Sequence, residues 1–550
     1  MTGLAEGFPP ATLEDWRKAA DSKGEGKTFV STLEDGIDVS WLYTSADALA
    51  TDPGGLPDAA PFVRGTRIGQ RWAIRQRTHV SGTKSADLDR ANRKILEELE
   101  GGATEVLLDL NGELTTVDQL DQVLTGVLLD LAPIALEHDG ADLLLELWRR
   151  RGHAAQEIRG SLRLHDVSAV KAIRDEFPAV KVLAVDTTAY ATAGAGTVLE
   201  LAVALHQAVQ FLRDADLPPA EVAAALEFTL SASADQFLEI AKLRAFRRLW
   251  ASVLEHCGAP AAERHSAVYV QTSTRMLSPL DPWVNMLRET TATFAAAVGG
   301  ADGITVVPFD EPIGESGPLG RRIARNTQLV LAEESSLYRV ADPAGGSWYV
   351  ESLTDQLAKA AWAQFQRLEG GEVDVEAEIA AAREARQREF ATRKRSLTGV
   401  NQFPLLGDDG LERSPGEPSR SRQICRDELA GSPATRDGAQ FEALRARAAA
   451  LGEPKILLAC VGPLAAHANA AQWAKNFFEA GGVTTVSQTA LAPEGFIAAA
   501  VCAGRDGDPT ATEQALRDAG IDTVYVVGRD VKEGVDMVSV LSGLLDRFEA

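Results

Sequence analysis

Five arginines, Arg64, Arg67, Arg71, Arg75 and Arg77, crowd the short stretch VRGTRIGQRWAIRQRTH. If that stretch is a strand, Arg71, Arg75 and Arg77 share a face by alternation, and three guanidinium groups aimed into one region bridge a phosphate or carboxylate well. The same arginines also suit plain ion pairing in an acidic chain, and spacing leaves both readings open. The run AVYVQTS closes on Gln271, Thr272 and Ser273, and VLAVDT closes on Asp186 and Thr187. Barrel enzymes hold ligands with polar groups at such strand ends, although ordinary turns put polar groups there too. Glu333 and Glu334 are adjacent, so on a helix they point about 100° apart and do not converge for acid/base work. His467, in PLAAHANAA, follows a strand-like run at the place where an open α/β sheet lines its ligand crevice. It is either a metal-ligand histidine or a solvated one.

Other chemistries lack support. The chain contains no glycine-rich phosphate loop, no H-E-x-x-H and no G-x-S-x-G, which argues against nucleotide hydrolysis, zinc proteolysis and serine hydrolysis. Its 55 basic against 79 acidic residues give a formal charge of −24, which repels nucleic acid and anionic lipid over most of the surface. Cys257, Cys425, Cys460 and Cys502 are scattered without C-x-x-C spacing, so neither zinc nor a disulfide framework is expected. A reducing cytoplasm suits them. The opening MTGLAEGFPP has no basic and apolar regions of a secretory signal, and no apolar run reads as a membrane span.

The elements that must position these residues repeat. Eight β-like runs, RWAIRQ, EVLLDL, PIALE, SLRLHD, VLAVDT, EFTLSAS, AVYVQTS and GITVVPF, alternate with helical patterns such as TVLELAVALHQAVQFLRDA. Alternation of this kind builds a parallel sheet, and eight strands close a barrel. Ser352 and Asp355 resemble a capping box opening a further helix, and a charged helix is expected over about 374–396. The predicted organisation is an arm over 1–48, a (β/α)8 barrel with C-terminal helices over 49–397, a Pro-, Gly- and Ser-rich linker over 398–452, and a smaller flavodoxin-like α/β domain over 453–550. In that last domain KILLACVG, VTTVSQ and DTVYVVG read as strands.

Read together, WAIRQ, QTS, NMLRETTATFAAAVGGADGITVVPFD, RRIARNTQLVLAEES and DPAGGSWYVESLT resemble the coenzyme-A mutases that interconvert methylmalonyl-CoA and succinyl-CoA with adenosylcobalamin. The resemblance covers nearly the whole chain and is most specific over 285–367. It implies a substrate barrel joined by a long linker to a cobalamin domain, here degenerate. Active members carry a tyrosine two residues beyond the arginine of I-R-Q, where this chain has Arg77. They place a histidine after the tyrosine of a G-Y-H segment, where this chain has Ala191 after Tyr190, and another two before the glutamine, where it has Tyr269, while Gln271 remains. The family's D-x-H-x-x-G cobalt-binding loop is similar to GPLAAHANAA, but Ala465 and Ala470 stand where its aspartate and glycine would, leaving His467 alone, and Arg529 follows the glycine of VYVVGRD. A ligand imidazole without its orienting carboxylate is a poor design.

The pattern resembles the smaller, non-catalytic chain of the two-chain members. It implies no catalytic residue, cofactor or metal on this chain, adenosylcobalamin on a larger catalytic partner, and a heterodimer. A stand-alone acyl-CoA-binding enzyme reusing Arg71, Arg75, Gln271 and Asp186 is the alternative, with a regulatory binding protein holding a vestigial pocket as a third.

Overall fold

The first two strands, β1 (Val30–Thr32) and β2 (Asp38–Ser40), pair as an antiparallel hairpin turned by Leu33–Gly36, and Gly36 takes the left-handed φ of +74° that this tight turn requires. The computed structural model describes residues 11–50, 54–407, 434–489, 493–504 and 507–549, except Lys23, Glu25, Lys27 and Asn111, together with Gly7, Gly410 and Leu411.

All eight expected strand runs form strands: β3 (Ala73–His79), β4 (Glu105–Asp109), β5 (Ile134–Leu136), β6 (Gly160–Leu164), β7 (Lys181–Asp186), β8 (Leu226–Ala232), β9 (Ala267–Thr272) and β10 (Gly303–Thr305). They pair in parallel in chain order, and β10 closes the barrel onto β3 through Gly303 opposite Ala73 and Ile304 opposite Ile74. Outward residues such as Val268 and Val270 are buried under a ring of helices, so each strand reads as an apolar run. Helix Gln236–His256 shows how tightly that ring packs: Phe228 on β8 meets Phe246 edge-on at 4.7 Å and Trp250 at 5.2 Å.

The helix after the barrel runs over Trp348–Glu369, not from the expected capping box at Ser352 and Asp355. Ser347 caps it by accepting from the Val350 amide, because Val350 already packs into the core and draws the helix start back. Asp355 instead binds Arg248 and Lys359 on the surface. The charged helix spans Val375–Ala391, capped by Asp374, with Ile379, Arg386 and Phe390 buried.

A second, smaller parallel sheet contains β11 (Lys455–Cys460), β12 (Thr484–Gln488), β13 (Ala498–Cys502) and β14 (Thr523–Val526), in the order β12-β11-β13-β14. This doubly wound order starts in the middle and reverses beside β11. The strand β13 was not expected from sequence, since FIAAAVC is alanine-rich, with three alanines between its two branched residues, Ile497 and Val501. Helix Ala439–Ala450 contributes Phe441, Leu444 and Ala448 to the core of this sheet, which also takes in Phe390, Leu397 and Val400. Among the described residues no helix is long and apolar enough to cross a membrane.

Candidate functional site

The interior of the barrel is where ligand chemistry would sit, and it is filled by charged side chains bonded to one another. Arg75, pointing inward from β3, donates through Nη1 and Nη2 to Glu227 on β8 at 2.8 and 2.9 Å, and through Nη2 to Glu105 on β4 at 2.7 Å. The side chains of Arg75 and Glu227 are 1% exposed and that of Glu105 4%. Tyr269 on β9 lays its ring 3.5 Å from the Arg75 guanidinium carbon and donates its hydroxyl to Glu105 at 3.0 Å. The ring has room because β10 offers Gly303 there: a Cβ at that position would lie 2.1 Å from Tyr269 Cε1. Charges this well sealed from solvent leave no water-filled passage through their layer.

A second arginine completes this layer. Arg163 on β6 adopts a left-handed φ of +53°, at a register shift between Ser161 and Leu164. The irregularity turns its guanidinium inward, where it donates to Thr229 at 3.0 Å and pairs with Glu227 and with Asp186. A non-glycine residue held in this conformation is kept there by its surroundings. Nearer the carboxyl ends of the strands, Arg77 binds Glu137 at 2.7 Å and Asp109 at 3.2 Å, and Asp109 also meets His79 Nδ1 at 2.9 Å.

Electrostatics follow from burial and pairing. Burial raises the Glu227 carboxyl, but the two bonds from Arg75 and the nearby Arg163 win and hold it below its ordinary value. Glu105 shares Arg75 with Glu227 and suffers its negative charge, so burial prevails and its carboxyl is raised. A proton entering the layer therefore goes to Glu105. Burial also pushes the Tyr269 hydroxyl far above its usual range. Among the described residues this layer thus offers paired charges and a phenol that stays protonated.

At the barrel mouth, Glu289 on helix Trp283–Val298 is buried, and burial lifts its carboxyl well above the usual range, opposed by the Thr272 hydroxyl and reinforced by Glu311. A carboxyl raised by folding stabilises least where the unfolded chain is ionised, so this contribution is fully present below the ordinary carboxylate range and is lost as pH rises towards the folded value. Glu289→Gln, which cannot ionise, is expected to be more stable than the wild type at pH 7 by about 1 kcal/mol and to lose less stability between pH 5 and 8 in urea melts. Parallel pH profiles for the two proteins would count against a neutral Glu289.

The residues singled out from sequence do not all meet. Arg75, Arg77, Asp186 and Tyr269 share the interior, and Gln271, half-buried, follows Tyr269 on the same face of β9. Arg71 precedes the strand and lies outside, half-exposed, paired with Glu333 and 5.3 Å from the Tyr338 ring. The expected convergence of Arg71 with Arg75 and Arg77 fails because alternation begins only at Ala73. Arg64 and Arg67 pair with Asp342 and Asp302. Ala191 is buried in the short helix Thr188–Ala193, where its carbonyl accepts from Arg275. Glu105, Glu227 and Arg163 were missed. The available signal was a charge within an otherwise apolar strand run, which needs an opposite partner if the strand is buried.

In the second sheet, His467 lies in the first turn of helix Leu464–Ala480, not on a free loop. It is 4% exposed, and its Nδ1 is 3.2 Å from the Gly462 carbonyl oxygen. At the opposite side of the crevice, Gly504 approaches so closely that a Cβ there would lie 2.3 Å from the Ala466 carbonyl oxygen. Ala465 supplies no carboxylate to orient the ring, and Ala470 packs against the core. These residues do not fit a corrin ligated from below by an exposed imidazole. Arg529 is held on the surface by Glu513 and Asp530, and hydrogen bonds from Arg529 and Arg517 pull the Glu513 carboxyl down to about 2.

Fold and interior together define a (β/α)8 barrel with an ion-paired centre, carrying a doubly wound α/β domain. The family model for methylmalonyl-CoA mutase matches residues 140–479. The methylmalonyl-CoA mutase small subunit of Streptomyces virginiae is 39% identical over 99% of this chain and 98% of its own length. A probable small subunit from Mycobacterium bovis is 35% identical over 94% and 92%, and the small subunit of Propionibacterium freudenreichii subsp. shermanii 34% identical over 84% and 78%. The chain belongs to the methylmalonyl-CoA mutase family.

Proposed function

We propose that this chain is the non-catalytic small subunit of a heterodimeric methylmalonyl-CoA mutase, stabilising an assembly in which a larger homologous chain binds adenosylcobalamin and performs the radical rearrangement. The observation that carries this reading is the sealed layer of Arg75, Glu105, Glu227 and Tyr269. A radical isomerase needs an open, dry pocket that brings a thioester substrate to its cofactor, and here the corresponding volume is spent on internal ion pairs. Arg77, Ala191 and Tyr269 stand where the family's chemistry would require a tyrosine and two histidines. The burial of His467 at 4% exposure in the first turn of its helix, with no carboxylate at Ala465 to orient the ring, supports a second sheet that holds no cobalamin.

Co-expression of the tagged chain with an untagged larger homologue tests the proposal. The expected result is a one-to-one complex that turns over methylmalonyl-CoA, while the isolated chain shows no turnover. The visible spectrum of adenosylcobalamin should stay that of the free cofactor when the isolated chain is added and change when the complex is. Turnover by the isolated chain, or a cofactor spectrum shifted by it alone, would overturn the reading. A chain that remains monomeric beside the homologue would favour a regulatory binding protein.

A further inference from the structure

In the second sheet, Cys460 and Cys502 are the last residues of the two central strands, β11 and β13, and they face each other in the register of that parallel pair. Neighbouring strands lie about 4.8 Å apart, within the Cα separation that a disulfide spans. Both side chains also point the same way. Alternation puts Leu458 and Cys460 in one core with Ala500 and Cys502, whereas Ala459 and Val501 enter the core of the opposite face. The two thiols hydrogen-bond each other. Their other contacts are weak, with Cys460 Sγ 3.6 Å from the Leu458 carbonyl oxygen and Cys502 Sγ 3.8 Å from that of Ala500. The turns that follow carry Gly462, whose carbonyl faces His467, and Gly504, which touches Ala466, so the pair sits at the rim of the crevice.

A core cysteine often serves only as a small apolar filler. Filling makes no demand on register, yet these two free thiols are register partners at the ends of adjacent strands. Cys502 is fully buried and Cys460 is 7% exposed, and burial pushes both thiols up, that of Cys502 to about 12. The pair therefore rests as two thiols rather than as a ready thiolate.

We propose that Cys460 and Cys502 form a redox-sensitive dithiol that hydrogen peroxide converts to a disulfide, joining β11 to β13 at the crevice. Sulfur of Cys460, the less buried partner, attacks the peroxide and breaks its O–O bond, giving a sulfenic acid and one water. Sulfur of Cys502 then displaces the sulfenic hydroxyl, which leaves with the Cys502 proton as a second water. Two electrons pass from the thiols to the peroxide, and a thiol reductant reverses the closure. The bond closes a loop that contains helix Leu464–Ala480 and strand β12, and it fixes the strand ends beside His467. It does not depend on the proposed subunit role.

Peptide mapping of the full chain tests this: hydrogen peroxide treatment, quenching with catalase, unfolding, and alkylation with N-ethylmaleimide before digestion. Trypsin cuts after Lys455, Lys475 and Arg505, which places the two cysteines on separate peptides. These peptides are expected joined, lighter by two hydrogens than their sum and parted by dithiothreitol, from a chain that stays monomeric on a non-reducing gel. Cys257→Ser, which removes an exposed thiol of the barrel, should leave the cross-link unchanged. Cys502→Ala should abolish it and leave a sulfenic acid at Cys460 that dimedone traps. Full alkylation of both cysteines after peroxide overturns the proposal. So does oxidation of Cys460 to a sulfinic acid in the wild type, or its cross-linking to Cys257 or to a second chain.

Discussion

Replacing Glu227 with alanine is expected to cost the barrel about 3–5 kcal/mol, the range for breaking a buried ion pair by removing one partner. Glu227 takes two hydrogen bonds from Arg75 and faces Arg163 at 3.4 Å, with its side chain 1% exposed. Its removal strands parts of two guanidinium groups in a place water does not reach, and neither arginine has a slack acceptor to turn to. Glu105 is already shared with Tyr269. The wild type should show the matching acid dependence. Since the Glu227 carboxyl is held below its ordinary value, its stabilisation is fully present above the carboxylate range of the unfolded chain and is lost as pH falls through the folded value. Glu227→Gln should remove that part of the acid sensitivity at an intermediate cost. Urea denaturation followed by tryptophan fluorescence measures both effects, with Glu176→Ala at the exposed Arg149 pair as a reference costing under about 1 kcal/mol. If Glu227→Ala matched that reference, the interior would not be the tightly coupled layer described above.

The same residues show what a sequence discloses and what it conceals. The eight barrel strands were legible because a strand covered on its outer face by helices must be apolar at every second position, and runs such as EVLLDL and VLAVDT meet that demand without help from distant residues. The strand Ala498–Cys502 was not legible, because an alanine run satisfies helix and buried strand equally and only its pairing with Lys455–Cys460 and Thr523–Val526 decides the matter. Arg75 and Tyr269 could be named from sequence, but their roles could not. The partners of Arg75 lie 30 and 152 residues away, at Glu105 and Glu227, and no local pattern ties them together. Arg71 misled for a related reason, since alternation holds only inside a strand and this one starts two residues later. Arg163 was invisible because a register shift breaks the alternation that would have placed it. The family motifs identified the family but named none of Glu105, Glu227 or Arg163, because a resemblance transfers only the residues its motifs contain.

Gly303→Ala is expected to damage the barrel through a single added methyl. Gly303 has no left-handed φ, so alanine suits the backbone and the whole effect must be steric. The new Cβ would lie 2.1 Å from Tyr269 Cε1 and 2.4 Å from Cδ1. The ring cannot retreat: the Arg75 guanidinium covers it at 3.5 Å, and its hydroxyl is bonded to Glu105. Relief therefore requires moving the ring, the arginine and both carboxylates together, at a cost of about 3 kcal/mol or more. In a Tyr269→Ala background the obstruction is gone, and the same substitution should cost close to nothing, giving a coupling of about 3 kcal/mol in a double-mutant cycle. The cycle also bears on why this barrel is closed. If glycine at 303 exists to seat the Tyr269 ring, the two positions must be energetically one unit, and the ring that fills the interior is a structural member seated on the neighbouring strand. Additive costs would break that link and leave the ring's position incidental to the closure.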